Sequence, residues 1–272
     1  MTSGILRAYA ETTYGQVHYR HVGHGPALLL LHQTASSSQQ FEPMMPALAS
    51  RYHVLAPDTP GYGMSDAPPS KYTMSDYARS VASFMDTLGI ERASIYGHHT
   101  GAGIACEVAA AYPSHVDALI VYGPTYWEIS PEELDARNKP LSIKEDGSHL
   151  TEMWEDITGR IREGLFPKPY SKAALDIIER EVLWKLMAGE RYEDAYHAVY
   201  RYNILERLPL IKAPTLVLGG DQDTLRSAVE PVAARIKRVR SHLMPGGSYF
   251  TSYDDPQGMA QEILDFLADP GV

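Results

Sequence analysis

Ala93-Ser94-Ile95-Tyr96-Gly97-His98-His99-Thr100-Gly101-Ala102-Gly103-Ile104-Ala105-Cys106 decides the fold. Residues 93–96 form a short apolar run that reads as a buried strand. From Ala102 to Ala111 nearly every residue is small or apolar, apart from Glu107, and Pro113 stops the helix this predicts. A helix without a polar face belongs at the centre of a fold. Between strand and helix stands Gly97-His98-His99-Thr100-Gly101, which has the form G-x-Nuc-x-G, a motif whose central residue sits on a sharp, strained turn and whose glycines let neighbouring backbone approach. The free N–H groups and positive dipole end of the helix then face the central position, where they favour a developing oxyanion. His99 is the expected seat of chemistry.

Working outward, further short apolar runs occur at residues 27–31, 53–56, 118–122, 215–218 and 239–244, with helical patterns between them. That alternation predicts a parallel sheet whose strands are apolar throughout because crossover helices cover both faces. Residues 5–10 and 16–22 flank Tyr14-Gly15 and predict a hairpin at the sheet edge. Tyr77, Val81, Phe84, Met85 and Leu88, and near the end Met259, Ile263, Phe266 and Leu267, have the spacing of helices with one apolar face. The rhythm breaks after Gly123-Pro124 and resumes at Pro214. The insertion of roughly eighty residues far exceeds a loop. It carries three helical patterns, through Leu150, Met153, Trp154, Ile157 and Ile161, then Leu175, Ile178, Val182 and Leu186, then Tyr192, Ala195, Tyr196, Val199 and Tyr200. The expected organisation is a core of residues 1–124 and 206–272 with a helical cap of residues 125–205, at the carboxyl end of a strand where a lid can form.

Composition removes several function classes. The 272 residues carry 24 basic against 34 acidic side chains, a net charge of -10, which excludes the basic bias of a nucleic-acid binder. Cys106 is the sole cysteine, so neither an intrachain disulfide nor a Cys-rich metal site is available. No stretch reaches the ~18 apolar residues of a membrane span, and residues 1–10 show no long apolar run. The expectation is a cytoplasmic protein, monomer or homodimer, with a small-molecule substrate, no nucleic-acid or membrane partner and no cofactor.

Four segments together make the chain resemble the α/β-hydrolase superfamily over essentially its whole length. They are the 97–101 turn, His32-Gln33 after the first parallel strand, Asp58-Thr59-Pro60-Gly61-Tyr62-Gly63-Met64-Ser65, and Gly220-Asp221-Gln222-Asp223. The resemblance implies an eight-stranded, mostly parallel sheet flanked by helices, a triad acid at Asp223, and oxyanion-hole amides at Gln33 and Thr100. The family normally carries serine at the turn, where this chain has His99, so acylation of a serine there is impossible. The family's histidine loop reads Pro245-Gly246-Gly247-Ser248-Tyr249, with Pro256 seven residues on, and both offsets put Tyr249 in the histidine slot. A one-residue slip puts Ser248 there instead. His98 reads as structural.

Imidazole (pKa ~6.5) and phenol (pKa ~10) make an acid/base pair at neutral pH. The expected arrangement has Asp223 orienting His99, His99 removing a proton from substrate or water, and Tyr249 donating to the reacting oxygen. A catalytically inactive binding protein is the competing reading. A metal site from His32, His98, His99 and Asp58 is disfavoured because adjacent histidines on such a turn are expected to diverge. Ser36, Ser37 and Ser38 are expected to cap a helix, and Cys106 to be an inert small hydrophobe. Tyr126, Trp127, Trp154 and Trp184 in the insertion suggest an aromatic pocket roof, although such residues also pack a lid on a core. Glu128 is expected to open a helix. Family relatives imply ester, lactone or C–C hydrolysis, with lyase, decarboxylase or cofactor-free oxygenase chemistry as the alternative.

Overall fold

A computed structural model describes residues 4–126, 132–133, 141–162 and 172–271. Its strands are β1 (Leu6–Thr12), β2 (Gly15–Val22), β3 (Ala27–Leu31), β4 (His53–Pro57), β5 (Ala93–His98), β6 (Val116–Tyr122), β7 (Thr215–Gly220) and β8 (Val239–Met244). They form one eight-stranded sheet in the order β1-β2-β4-β3-β5-β6-β7-β8. β1 pairs with β2, and β2 with β4, antiparallel, while every pairing from β4 to β8 is parallel.

The central strands are mostly apolar because both faces are covered, with Ser94 and His98 on β5 and the exposed Asp117 on β6 among the polar positions. Leu29, Leu31, Leu55, Ile95 and Val121 face α2 (Met74–Thr87) and α3 (Thr100–Ala111). Leu28, Leu30, Val54, Tyr96 and Ile120 face α1 (Met45–Leu48) and the C-terminal helix (Pro256–Ala268). Edge strand β8 is the exception: Arg240, His242 and Leu243 are exposed, since little packs beyond the last strand. α2 starts at a capping box in which the Thr73 hydroxyl accepts from the Asp76 amide and the Asp76 carboxylate from the Thr73 amide. Every residue of α3 except Ala111 is buried, Glu107 included.

Between β6 and β7 lie α4 (Ser148–Arg162), α5 (Lys172–Ala188), α6 (Asp194–Tyr200) and α7 (Ile204–Arg207). Met153, Ile157, Ile178, Val182, Tyr192, Ala195 and Val199 are buried as their spacing predicts. Leu150 and Leu175 are instead exposed, because each lies in the first turn of its helix, before the packed stripe begins. The inserted helices are tied to the core by polar contacts. Tyr62 OH donates to the Tyr192 carbonyl and accepts from the Ala195 amide, and Tyr196 OH donates to the Thr34 carbonyl. Glu107 receives Arg207 Nε at 2.8 Å and Nη2 at 3.2 Å, Tyr202 OH at 2.8 Å and Ser75 Oγ at 3.0 Å. The remaining helices are α8 (Val229–Ala233), α9 (Thr251–Asp254) and α10 (Pro256–Ala268).

Candidate active site

His99 links β5 to α3 with φ +49° and ψ −110°, and among the described residues it alone has a positive φ without being glycine. Such a conformation costs ~1–3 kcal/mol and persists only where its surroundings enforce it. Here the His99 amide donates to the Tyr122 carbonyl at 2.9 Å, and its own carbonyl accepts from the Ala102 amide at 2.8 Å. The flanking glycines are required by backbone crowding. A Cβ on Gly97 would sit 2.3 Å from the Gly101 oxygen, and one on Gly101 2.0 Å from the Leu31 oxygen.

The imidazole points at the turn after β7. His99 Nε2 lies 2.8 Å from Asp223 Oδ2, and the two residues are 4% and 0% exposed. Burial by itself would raise the Asp223 pKa. The His99 imidazole and the Leu225 amide, which donates to Oδ1 at 2.8 Å, outweigh burial and hold the carboxyl below its ordinary range. A carboxylate at Nε2 requires the proton there, which leaves the lone pair on Nδ1. Nδ1 has no hydrogen-bond partner among the described residues. The ring is bracketed by Tyr249, edge-on at 4.5 Å, and by Tyr122, stacked at 6.2 Å. It also lies over Gly123, where a Cβ would fall 2.2 Å from His99 Cδ2.

The two histidines of the turn do not diverge; their ring centroids are 4.6 Å apart, because both are pressed against Tyr122. Their nitrogens nevertheless serve different partners. His98 Nδ1 is 3.0 Å from Tyr96 OH and its Nε2 is 3.2 Å from the Tyr249 carbonyl. Burial pushes the His98 pKa well down, so the neutral ring accepts from Tyr96 and donates to the Tyr249 carbonyl, pinning that loop. Ser248 is turned to structural duty. Its hydroxyl donates to Asp254 Oδ2 at 2.8 Å and accepts from the Phe250 amide at 2.9 Å.

Of the two amides expected to receive an oxyanion, one is committed elsewhere. The Gln33 amide donates to Gln40 Oε1 at 3.1 Å, whereas the Thr100 amide, at the start of α3, has no acceptor among the described residues. The correction arises because Gln40, seven residues on, folds back under the loop, a contact that no local spacing announces. His32 is buried; its Nδ1 donates to the Gln33 carbonyl at 2.7 Å and its Nε2 accepts from the Thr59 amide at 2.9 Å. Asp58 accepts from His18, the Ser38 amide and the Met64 amide. Ser37 caps the short turn that follows it, but Ser36 donates to Glu181 and Ser38 accepts from Arg20. The Cys106 thiol is fully buried, which pushes its pKa up to about 12.

Among the aromatic residues, Tyr126 and Trp154 pack half-buried against the core, and Trp184 on α5 is half-buried, its indole N–H without an acceptor among the described residues. Trp127 and Glu128 lie outside the described residues. The sequence reading missed Tyr122, Gly123 and Glu181. Glu181 is 5% exposed, and its carboxylate receives Ser36 Oγ at 2.8 Å, Tyr253 OH at 2.9 Å and Gln33 Nε2 at 3.2 Å. Burial raises its pKa, and these three donors together with the Lys185 charge only partly offset that. Its signal was available: Glu181 sits next to Val182 and three residues after Ile178, a charge on the apolar stripe of its helix.

A crossover sheet with a catalytic turn at the carboxyl end of β5, and an acid after β7, defines the α/β-hydrolase class. The chain belongs to that family: the family model for the alpha/beta hydrolase fold matches residues 26–256. A 2-(acetamidomethylene)succinate hydrolase of Mesorhizobium japonicum is 27% identical over 265 residues, which is 91% of this chain and 90% of that protein. Haloalkane dehalogenase 2 of Mycobacterium tuberculosis is 28% identical over 133 residues, 48% of this chain and 46% of that protein. The enol-lactonase of Burkholderia xenovorans LB400 shares the fold with a TM-score of 0.83 at 22% identity, over 96% of this chain and 100% of that one.

Proposed function

We propose that this chain is a small-molecule enzyme that hydrolyses a hydrophobic carbonyl compound by base chemistry at His99, without a serine acyl-enzyme. The observation that carries the reading is the 2.8 Å contact of His99 Nε2 with buried Asp223, which fixes the tautomer and leaves Nδ1 as the base. Nδ1 takes a proton from water, the hydroxide adds to the carbonyl, and the Thr100 amide donates to the oxyanion. Asp223 stabilises the imidazolium so formed. Tyr249, whose ring lies edge-on to His99 with centroids 4.5 Å apart, positions the reacting oxygen in this reading. The hydrolase activity of the Mesorhizobium relative supports hydrolysis as the reaction class.

A second reading is favoured by one observation: with the Gln33 amide bound to Gln40, a single free amide remains to hold an oxyanion. Direct proton abstraction from a C–H or O–H acid calls on the same base and forms no tetrahedral oxyanion that a pair of amides would hold. Turnover in water enriched in oxygen-18 separates the two, because hydrolysis puts the label in product and proton abstraction does not.

The assignment is tested by kinetics on a panel of esters, lactones and β-diketones. His99→Ala is expected to lower turnover by ~10²–10⁴-fold, the usual contribution of a positioned base. Full turnover in that variant, or stoichiometric labelling of Ser36 or Ser248 by an organophosphate, would overturn it. Binding of aromatic ligands without turnover across the whole panel would mark a binding protein instead.

A further inference from the structure

Glu181 and Gln33 meet at the end of the sheet from which His99 also leaves. Gln33 lies two residues past Leu31, and Leu31 pairs with Gly97, itself two residues before His99. Adjacent strands run ~4.8 Å apart, so Gln33 and His99 leave the sheet side by side. On the other flank Tyr253, which donates to Glu181, follows Tyr249, whose ring packs on His99. Glu181 thus bridges the two loops that border the base, reaching them from the inserted helix α5.

The hydrogen bonding of this corner is incomplete. Glu181 Oε1 accepts two donors, from Ser36 and Tyr253, but Oε2 accepts only Gln33 Nε2. Gln33, 1% exposed, keeps its own Oε1 buried and without a donor among the described residues. Among the described residues no cation pairs with Glu181, and Lys185, one turn along the helix, pairs with Asp156 at 3.0 Å. A buried carboxylate oxygen with spare capacity beside an orphaned amide oxygen leaves unused acceptors at this corner.

We propose that Gln33 Oε1 and Glu181 Oε2 form a subsite for a hydrogen-bond donor, so that the substrate carries an O–H or N–H group besides its reacting carbonyl. This rests on the reading of His99 as the base only in placing the substrate at this end of the sheet. A hydroxyl or amine docked here satisfies the orphaned acceptors, whereas an ether or alkyl group of the same shape leaves them desolvated and unpaired. Such pairing discriminates more strongly than added apolar contact does.

The test is calorimetric titration of the full chain with 4′-hydroxyacetophenone and its methyl ether, 4′-methoxyacetophenone. The hydroxy ketone is expected to bind the wild-type protein ~10-fold more tightly, and the ratio to fall below ~2-fold in Gln33→Met. Glu181→Gln, which keeps the shape but turns one acceptor oxygen into an N–H donor group, is expected to reduce the ratio part of the way and decides the matter if Gln33→Met does not fold. Equal binding of the two ketones, no binding of either, or a ratio untouched by the folded variants overturns the subsite. Titrating His99→Ala separates this from the catalytic reading. A retained preference with turnover unaffected removes the base and keeps the subsite; a lost preference in wild type with turnover abolished in His99→Ala does the reverse.

Discussion

Two buried glutamates tie the inserted helices to the sheet, and they do so in opposite ways. Glu107, on central helix α3, meets the Arg207 guanidinium through both oxygens and also takes Tyr202 and Ser75, so its charge is matched. Glu181, reaching down from α5, is held by two hydroxyls and an amide, all neutral, and burial raises its pKa. A carboxylate whose charge and lone pairs are both answered is a strut. One that forms no ion pair among the described residues, next to an orphaned acceptor, keeps a capacity that packing alone does not explain.

The contrast can be broken by substitution. Glu107→Ala should cost about 3 kcal/mol, the low side of breaking a buried pair since Arg207 reaches water, and chemical denaturation measures it. Replacing both partners, Glu107→Leu with Arg207→Met, should recover most of that loss; if it does not, the pair is more than a strut. Ser36→Ala should cost about 1–2 kcal/mol, the worth of one donor to a charged acceptor, and the loss should shrink toward low pH as Glu181 takes up its proton.

Glu181→Gln should have the smallest effect, but a diagnostic one in its pH dependence. The folded pKa of Glu181 is raised above the unfolded value, so the folded state holds the proton more tightly. The stability linked to that proton is fully present below the unfolded pKa of ~4.3 and is lost as pH rises through the raised folded pKa. Melting temperatures of wild type and Glu181→Gln should therefore diverge in the variant's favour as pH rises from ~4.3 through that window. Parallel curves would mean that the three neutral donors compensate the charge completely, and Glu181 would join Glu107 as a strut.

The sheet was legible because its signals are local. Apolar runs such as residues 27–31 and 215–218 became strands with both faces covered, and the family signature put a strained turn at residue 99. Pairing of His99 with Asp223 was also anticipated, since the family places a carboxylate after the seventh strand and an imidazole is long enough to reach it. Other contacts join residues with no pattern in common. The Gln33 amide is taken by Gln40, the His99 ring lies over Gly123, and Glu181 meets Gln33 across 148 residues of chain.

The amino-acid order by itself settled which residues alternate with the backbone's own periods, and so the layered sheet, the turn and the histidine at its apex. Only the tertiary structure decided which nitrogen of that histidine faces the carboxylate, which of the Gln33 and Thr100 amides stays without an acceptor among the described residues, and which buried glutamate forms no ion pair there. Period and propensity act over a few neighbouring residues. Hydrogen-bond satisfaction is settled among groups that become neighbours only after the chain has folded.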